Sequence, residues 1–133
     1  MPTGYSGTPL ASKLGLKPLQ RAWFPAMPDS VRAEIGDVEL AETDAIEPGL
    51  DMAHIFVTER AELERLLADL RGKIARDGMV WVSWPKKASK VQTDVTEDTI
   101  RDVALPMGYV DVKVCAVDEV WSGLKLVIRK ELR

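Results

Sequence analysis

Two runs, Met52-Ala53-His54-Ile55-Phe56-Val57 and Met79-Val80-Trp81-Val82-Ser83-Trp84, decide the fold together with the segment that joins them. Each is an apolar run of strand length, the signature of central parallel strands covered on both faces. Between them Leu63, Leu66, Leu67, Leu70 and Ile74 recur at helical spacing, Arg65, Asp69, Lys73 and Arg76 take the opposite side, and Gly78 ends the element. The pattern predicts a strand, crossover helix, strand unit, with the right-handed connection that nearly all such units adopt.

Toward the C-terminus, a helix is predicted to begin at Asp94 or Thr96, to turn Ile100, Val103 and Ala104 inward and to stop before Pro106. Val110, Val112, Val114 and Ala116 then alternate with Asp111 and Lys113. After a turn region at Asp118 to Gly123, Leu124, Leu126 and Ile128 alternate again, which reads as an antiparallel hairpin finishing the sheet. Toward the N-terminus, Val38 to Leu40 reads as a short strand, Ser30 to Ile35 as about two turns of helix before Gly36, and Arg21 to Phe24 as a strand cut by Pro25 and Pro28. Thr8-Pro9-Leu10-Ala11-Ser12-Lys13-Leu14-Gly15 offers an N-cap, a first-turn proline and a terminating glycine for a lead-in helix. The fold class that follows is α/β: three layers around a mostly parallel sheet of about six strands, closed by a C-terminal antiparallel hairpin. Residues 1–133 make one domain in this reading, with 1–19 as its lead-in segment.

Composition narrows the function classes. Hydrophobic residues are 46% and charged residues 29% of the chain, a balance that folds rather than stays disordered. A formal charge of −3, from 18 basic and 21 acidic residues, lacks the dense basic face of a nucleic-acid binder. The charge is uneven, since Asp29 to Asp51 holds eight acids and one arginine, whereas Asp77 to Thr93 holds three lysines and one acid. The single cysteine, Cys115, and the single histidine, His54, exclude an intramolecular disulfide and Cys- or His-rich zinc sites; no metal is expected. Both sit in apolar segments and read as core residues. The start has neither a signal-type apolar region nor a transit-type amphipathic stretch, and no run reaches membrane-spanning length, so a cytoplasmic protein with no membrane partner is expected.

The order of elements, with its terminal hairpin at Leu124 to Arg129, resembles a shortened class I methyltransferase, the Rossmann-like fold in which the last strand inserts antiparallel beside parallel neighbours. One strand and one helix of that pattern are missing between Asp44 and Met52. Four segments carry a second likeness: Tyr5-Ser6-Gly7-Thr8-Pro9-Leu10, Lys13-Leu14-Gly15-Leu16-Lys17-Pro18, Trp84-Pro85-Lys86-Lys87, and Val114 to Leu124. They resemble a bacterial family catalogued as domain of unknown function 3052. That likeness implies the fold and no reaction.

In the methyltransferase architecture the cofactor rests on a glycine-bearing turn after the first strand, at a helix N-terminus. Here the turn is Phe24-Pro25-Ala26-Met27-Pro28-Asp29, with no glycine, two prolines that cannot donate an N–H, and an acid. No cofactor is therefore expected. The acidic residue that would hold ribose hydroxyls at the end of the second strand falls at Glu42 or Asp44.

Among the residues themselves, Trp84-Pro85-Lys86-Lys87-Ala88-Ser89-Lys90-Val91-Gln92-Thr93 is the segment with binding character. It leaves the carboxyl end of a central strand, where open α/β sheets bind ligands. Lys86, Lys87 and Lys90, the hydroxyls of Ser89 and Thr93, and Trp84 as a cap together suit a carboxylate or phosphate. Trp81, three residues before Trp84, points to the other face and reads as core. Acid pairs such as Asp118 and Glu119 lack a companion nucleophile, and Ser83 and Ser122 lack a nucleophile-elbow context. Three readings follow. The first is a non-enzymatic methyltransferase-like domain binding a small anion or a protein partner. The second is a divergent small enzyme using the same crevice, with Glu42 or Asp44 near a ribose. The third is a self-associating or complex-forming subunit that uses Trp121 and an edge strand at Leu124 to Ile128.

Overall fold

The computed structural model describes residues 9–133. Their order is α1 (Leu10–Leu14), β1 (Arg21–Trp23), α2 (Asp29–Ile35), β2 (Ala41–Thr43), β3 (Leu50–Phe56), α3 (Arg60–Arg71), β4 (Ile74–Pro85), α4 (Glu97–Ala104), β5 (Tyr109–Ala116) and β6 (Trp121–Ile128). Six strands form one sheet in the order β2-β1-β3-β4-β6-β5. The pairs from β2 to β4 are parallel, and β6 lies antiparallel to both β4 and β5. The expected Rossmann-like sheet with a C-terminal antiparallel pair is present.

The layers follow from handedness. From β1 the chain moves one way to β2, and from β3 the other way to β4, so right-handed crossovers require α2 and α3 on opposite faces. One half of the core joins α1 and α2, through Leu10, Leu14, Val31 and Ile35, to Met52, Phe56, Met79 and Trp81. The other joins α3 and α4, through Leu63, Leu67, Leu70, Ile100 and Val103, to Val80, Val82, Trp84, Leu124 and Leu126. Trp81 and Trp84 thus face opposite layers, as strand alternation requires. The Trp81 indole N–H donates to the carbonyl of Leu14 at 2.9 Å, tying α1 to the sheet. The strand and helix missing between Asp44 and Met52 are replaced by a loop, residues 44–49, of which Ile46 packs against the α3 side of the core.

Several boundaries depart from the sequence reading. Ile74 does not continue the helix: α3 ends at Arg71 before Gly72, and Ile74 opens β4 opposite Leu50. Gly78 lies inside β4, at the register shift between Leu50 and Met52, where an added Cβ would meet the Asp51 and Ala75 carbonyl oxygens at 3.0 Å. It is there for close backbone approach. The second strand is Ala41–Thr43 rather than Val38 to Leu40, and its residues are largely exposed at the sheet edge. Leu124 to Ile128 is not an edge strand, because β6 is inserted between β4 and β5; the edge is β5. A register shift between Asp111 and Lys113 breaks the alternation of β5 and leaves Val112 and Val114 exposed rather than inward. The proposed N-cap Thr8 and the Tyr5 to Gly7 motif lie outside the described residues.

The remaining helix matches its signals. Thr96 caps α4, accepting from the Thr99 amide while the Thr99 hydroxyl accepts from the Thr96 amide. Arg101 on α4 pairs with Glu97, Asp98 and Asp111, joining the helix to the edge strand β5. Cys115 is half-buried against the α1 side, and burial raises its thiol pKa. Among the described residues no helix is long and apolar enough to cross a membrane.

Candidate functional site

The carboxyl ends of β1, β3 and β4 point the same way, and β1 is where the connections diverge, β2 lying on one side and β3 on the other. In open α/β sheets that divergence opens a ligand crevice. Here the crevice is bounded by the turn after β1, by the end of β3 and by α3. A pocket of about 230 Å³ occupies it, lined among others by Trp23, Pro25, Phe56, Glu62, Arg65 and Leu66.

The side of the crevice that faces α2 is filled. Phe24 is buried, at 8% exposure, and the Arg32 guanidinium lies 5.5 Å from the centre of its ring. From there Arg32 forks onto Glu42, with Nη1 2.6 Å from Oε2 and Nη2 3.0 Å from Oε1. The carboxylate anticipated for ribose hydroxyls is therefore engaged through both oxygens. Asp44 is exposed in the loop that follows β2. Within the turn, Ala26 holds φ +141°, and its N–H donates to the Phe24 carbonyl rather than facing outward.

The lysine segment leaves β4 at the same end of the sheet. Trp84 is 9% exposed and belongs to the core beneath α3 and α4 rather than to an open surface. Lys86 is half-buried, and its N–H donates to the Val120 carbonyl at 2.7 Å. A single 3-10 turn, Lys87–Ser89, follows, closed by Lys90 in a left-handed conformation. The Ser89 hydroxyl donates to the Lys86 carbonyl at 2.6 Å and accepts from the Val91 amide. Thr93 donates to the Thr58 carbonyl at 2.7 Å and accepts from the Val95 amide. The Ser89 hydroxyl holds the turn of its own segment, and the Thr93 hydroxyl ties the segment to the end of β3. Asp94 continues that junction by accepting the Arg60 amide at the start of α3. Lys87 and Lys90 are exposed, and among the described residues none of the three lysines makes an ion pair, while the two hydroxyls are taken up by backbone groups.

One pairing escaped the sequence reading. His54 Nε2 and Ser83 Oγ are 2.7 Å apart, both side chains fully buried. The geometry is that of a serine–histidine dyad, but a substrate has no route to it. His54 stacks on Phe56 with ring centres 4.4 Å apart, and its Nδ1 has no hydrogen-bond partner. Burial lowers its pKa to about 3, so the ring is neutral at physiological pH. The available signal was one polar residue in each of two apolar strands; the register that joins them is not written in either strand. Trp121 packs edge-on against Phe56 at 5.2 Å and is only partly exposed.

Sheet order, crevice and inserted last strand define a methyltransferase-like Rossmann domain. Solved structures bear this out at the level of fold. Fibrillarin of Methanococcus jannaschii, a pre-rRNA processing protein, is 9% identical with a TM-score of 0.61, over 94% of this chain and 70% of that one. Aeropyrum pernix fibrillarin, solved with natively bound S-adenosyl-L-methionine, is 11% identical with a TM-score of 0.59, over 93% and 70%. A TehB-like S-adenosylmethionine-dependent methyltransferase of Corynebacterium glutamicum is 10% identical with a TM-score of 0.55, over 95% and 90%. No curated protein matches the chain in sequence. The family model matches residues 23–130, and the chain belongs to the family of proteins of unknown function DUF3052.

Proposed function

We propose that this chain is a non-catalytic methyltransferase-like domain that binds a small ligand through an anionic group at the carboxyl end of its sheet. The observation that carries the reading is the turn between β1 and α2. Pro25 and Pro28 remove two backbone donors from the place where a nucleotide cofactor is cradled, and no glycine lets the backbone come close. The Arg32–Glu42 pair adds to this barrier without deciding it. Both side chains are about 40% exposed or more, and opening such a surface pair costs about 1 kcal/mol or less. The missing donors cannot be regained by side-chain movement. Cations in place for an anionic group are Lys86, Lys87 and Lys90 on the β4 loop and Arg65 at the crevice.

A thermal-shift panel tests the reading. S-adenosylmethionine and S-adenosylhomocysteine should leave the melting temperature unchanged. A small carboxylate or phosphate at about a hundred times its dissociation constant should add about 2.7 kcal/mol, a shift of several degrees for a domain of this size. A shift lost in Lys86→Ala and Lys87→Ala assigns the anion to the lysine loop. A saturable shift with either S-adenosyl compound contradicts the reading.

A further inference from the structure

We propose that the pocket between β1, β3 and α3 binds a zwitterionic amino acid with an apolar side chain, its carboxylate on Arg65 and its ammonium on Glu62. The inference rests on the reading above, which it narrows to one pocket and one ligand class.

The pocket exists because of what the chain lacks. The return from β2 to β3 is a short loop, and Ile46 is the residue of it that packs on the α3 side of the core, so Trp23 at the end of β1 stays partly open. At about 230 Å³ the space falls below the roughly 300–1,000 Å³ of pockets that take drug-sized ligands. It suits one ring or branched chain with a small head group. Trp23, Pro25, Phe56 and Leu66 make its walls apolar.

The charge at the pocket is mixed in sign and unspent. Glu62 and Arg65 both line it and stand one helical turn apart on α3, where side chains are neighbours. Neither side chain forms an ion pair or a hydrogen bond with any described residue. Arg21, Arg32, Arg60, Arg101 and Arg129 are each ion-paired, and Arg71 and Arg133 donate to carbonyls; of the two described arginines with neither kind of partner, Arg65 and Arg76, Arg65 lines this pocket. A guanidinium offers the planar fork that carboxylates fit. A plain carboxylic acid would meet Glu62, and a plain amine would meet Arg65. A ligand carrying both charges can answer each of the two groups, and the apolar walls then select its side chain.

Calorimetric titration of the full chain with L-phenylalanine and L-leucine tests this, using 3-phenylpropionate, phenethylamine and L-alanine as probes that each lack one recognised group. Saturable one-to-one binding of phenylalanine or leucine is expected, with each of the three probes weaker by about tenfold or more. Arg65→Ala and Glu62→Gln should each weaken phenylalanine by a similar factor at unchanged melting temperature, since the first side chain is exposed and the second half-buried without partners. Absence of phenylalanine and leucine binding, equal binding of 3-phenylpropionate, or indifference to both substitutions overturns the proposal. A phosphate shift lost in Lys86→Ala with phenylalanine silent would remove this inference and leave the broader reading standing. Binding of S-adenosylmethionine would remove both.

Discussion

Trp81→Ala is expected to lower the free energy of unfolding by about 3–5 kcal/mol, a large part of the roughly 5–15 kcal/mol that holds a typical domain. The indole is fully buried and packs on Gly123, where an added Cβ would stand 3.2 Å from the ring. Truncation opens a cavity there. It also leaves the Leu14 carbonyl without its donor, and with it a tie between α1 and the sheet. Trp81→Phe separates the two contributions: it keeps most of the packing and loses the hydrogen bond, and should cost about 1–3 kcal/mol. Chemical denaturation of the three proteins checks this. A cost below about 1 kcal/mol for Trp81→Ala would mean that this layer is not packed as described.

Acid lability centred on His54 is the second large effect. Burial holds the folded-state pKa near 3, against about 6.5 for an unfolded histidine. A lowered histidine pKa means that the unfolded chain takes up the proton first. The stabilisation is therefore complete above about pH 6.5 and is lost progressively as pH falls toward 3. Between pH 7 and pH 4 this group alone removes about 3 kcal/mol. No hydrogen bond at Nδ1 offsets the cost of charging the ring. Asp111, held below the usual carboxylate range chiefly by its hydrogen bond to Arg101, acts in the same direction at lower pH. His54→Gln keeps an amide within reach of Ser83 and has nothing to titrate. Its stability should fall markedly less than that of the wild type between pH 6.5 and pH 4.5 in denaturant titrations. Parallel slopes would show that the acid sensitivity lies elsewhere.

How far the sequence could be read depended on how much each element owes to local pattern. The β3–α3–β4 unit is legible because both faces of its strands are covered, so the apolar runs are long. The α4 helix is legible because Thr96 and Thr99 write its start. The end of α3 was misplaced because Ile74 stands four residues after Leu70 and fits the helical period, although it serves the next strand. The strand Ala41–Thr43 carries no apolar signature, being exposed at the sheet edge. At β5 the alternating valines suggested burial, and a single bulge undid it.

At the site, the absence of a glycine turn was plain from Phe24 to Asp29. The fork from Arg32 to Glu42, the contact of His54 with Ser83 and the pocket at Trp23 all join residues ten or more positions apart. Those depend on register and on loop paths, which composition and periodicity leave open. The hydroxyls of Ser89 and Thr93 are taken up by backbone carbonyls, that of Ser89 by Lys86 three residues before it and that of Thr93 by Thr58 at the end of β3.

The proposed reading is a methyltransferase-like scaffold whose first turn does not accept S-adenosylmethionine. Calorimetric titration of S-adenosylmethionine into the full chain at millimolar ligand tests it most directly. The account predicts no saturable heat, in the wild type and equally in Arg32→Ala, because the missing backbone donors at Pro25 and Pro28 are not restored by removing the arginine. Saturable one-to-one binding in the wild type would contradict it.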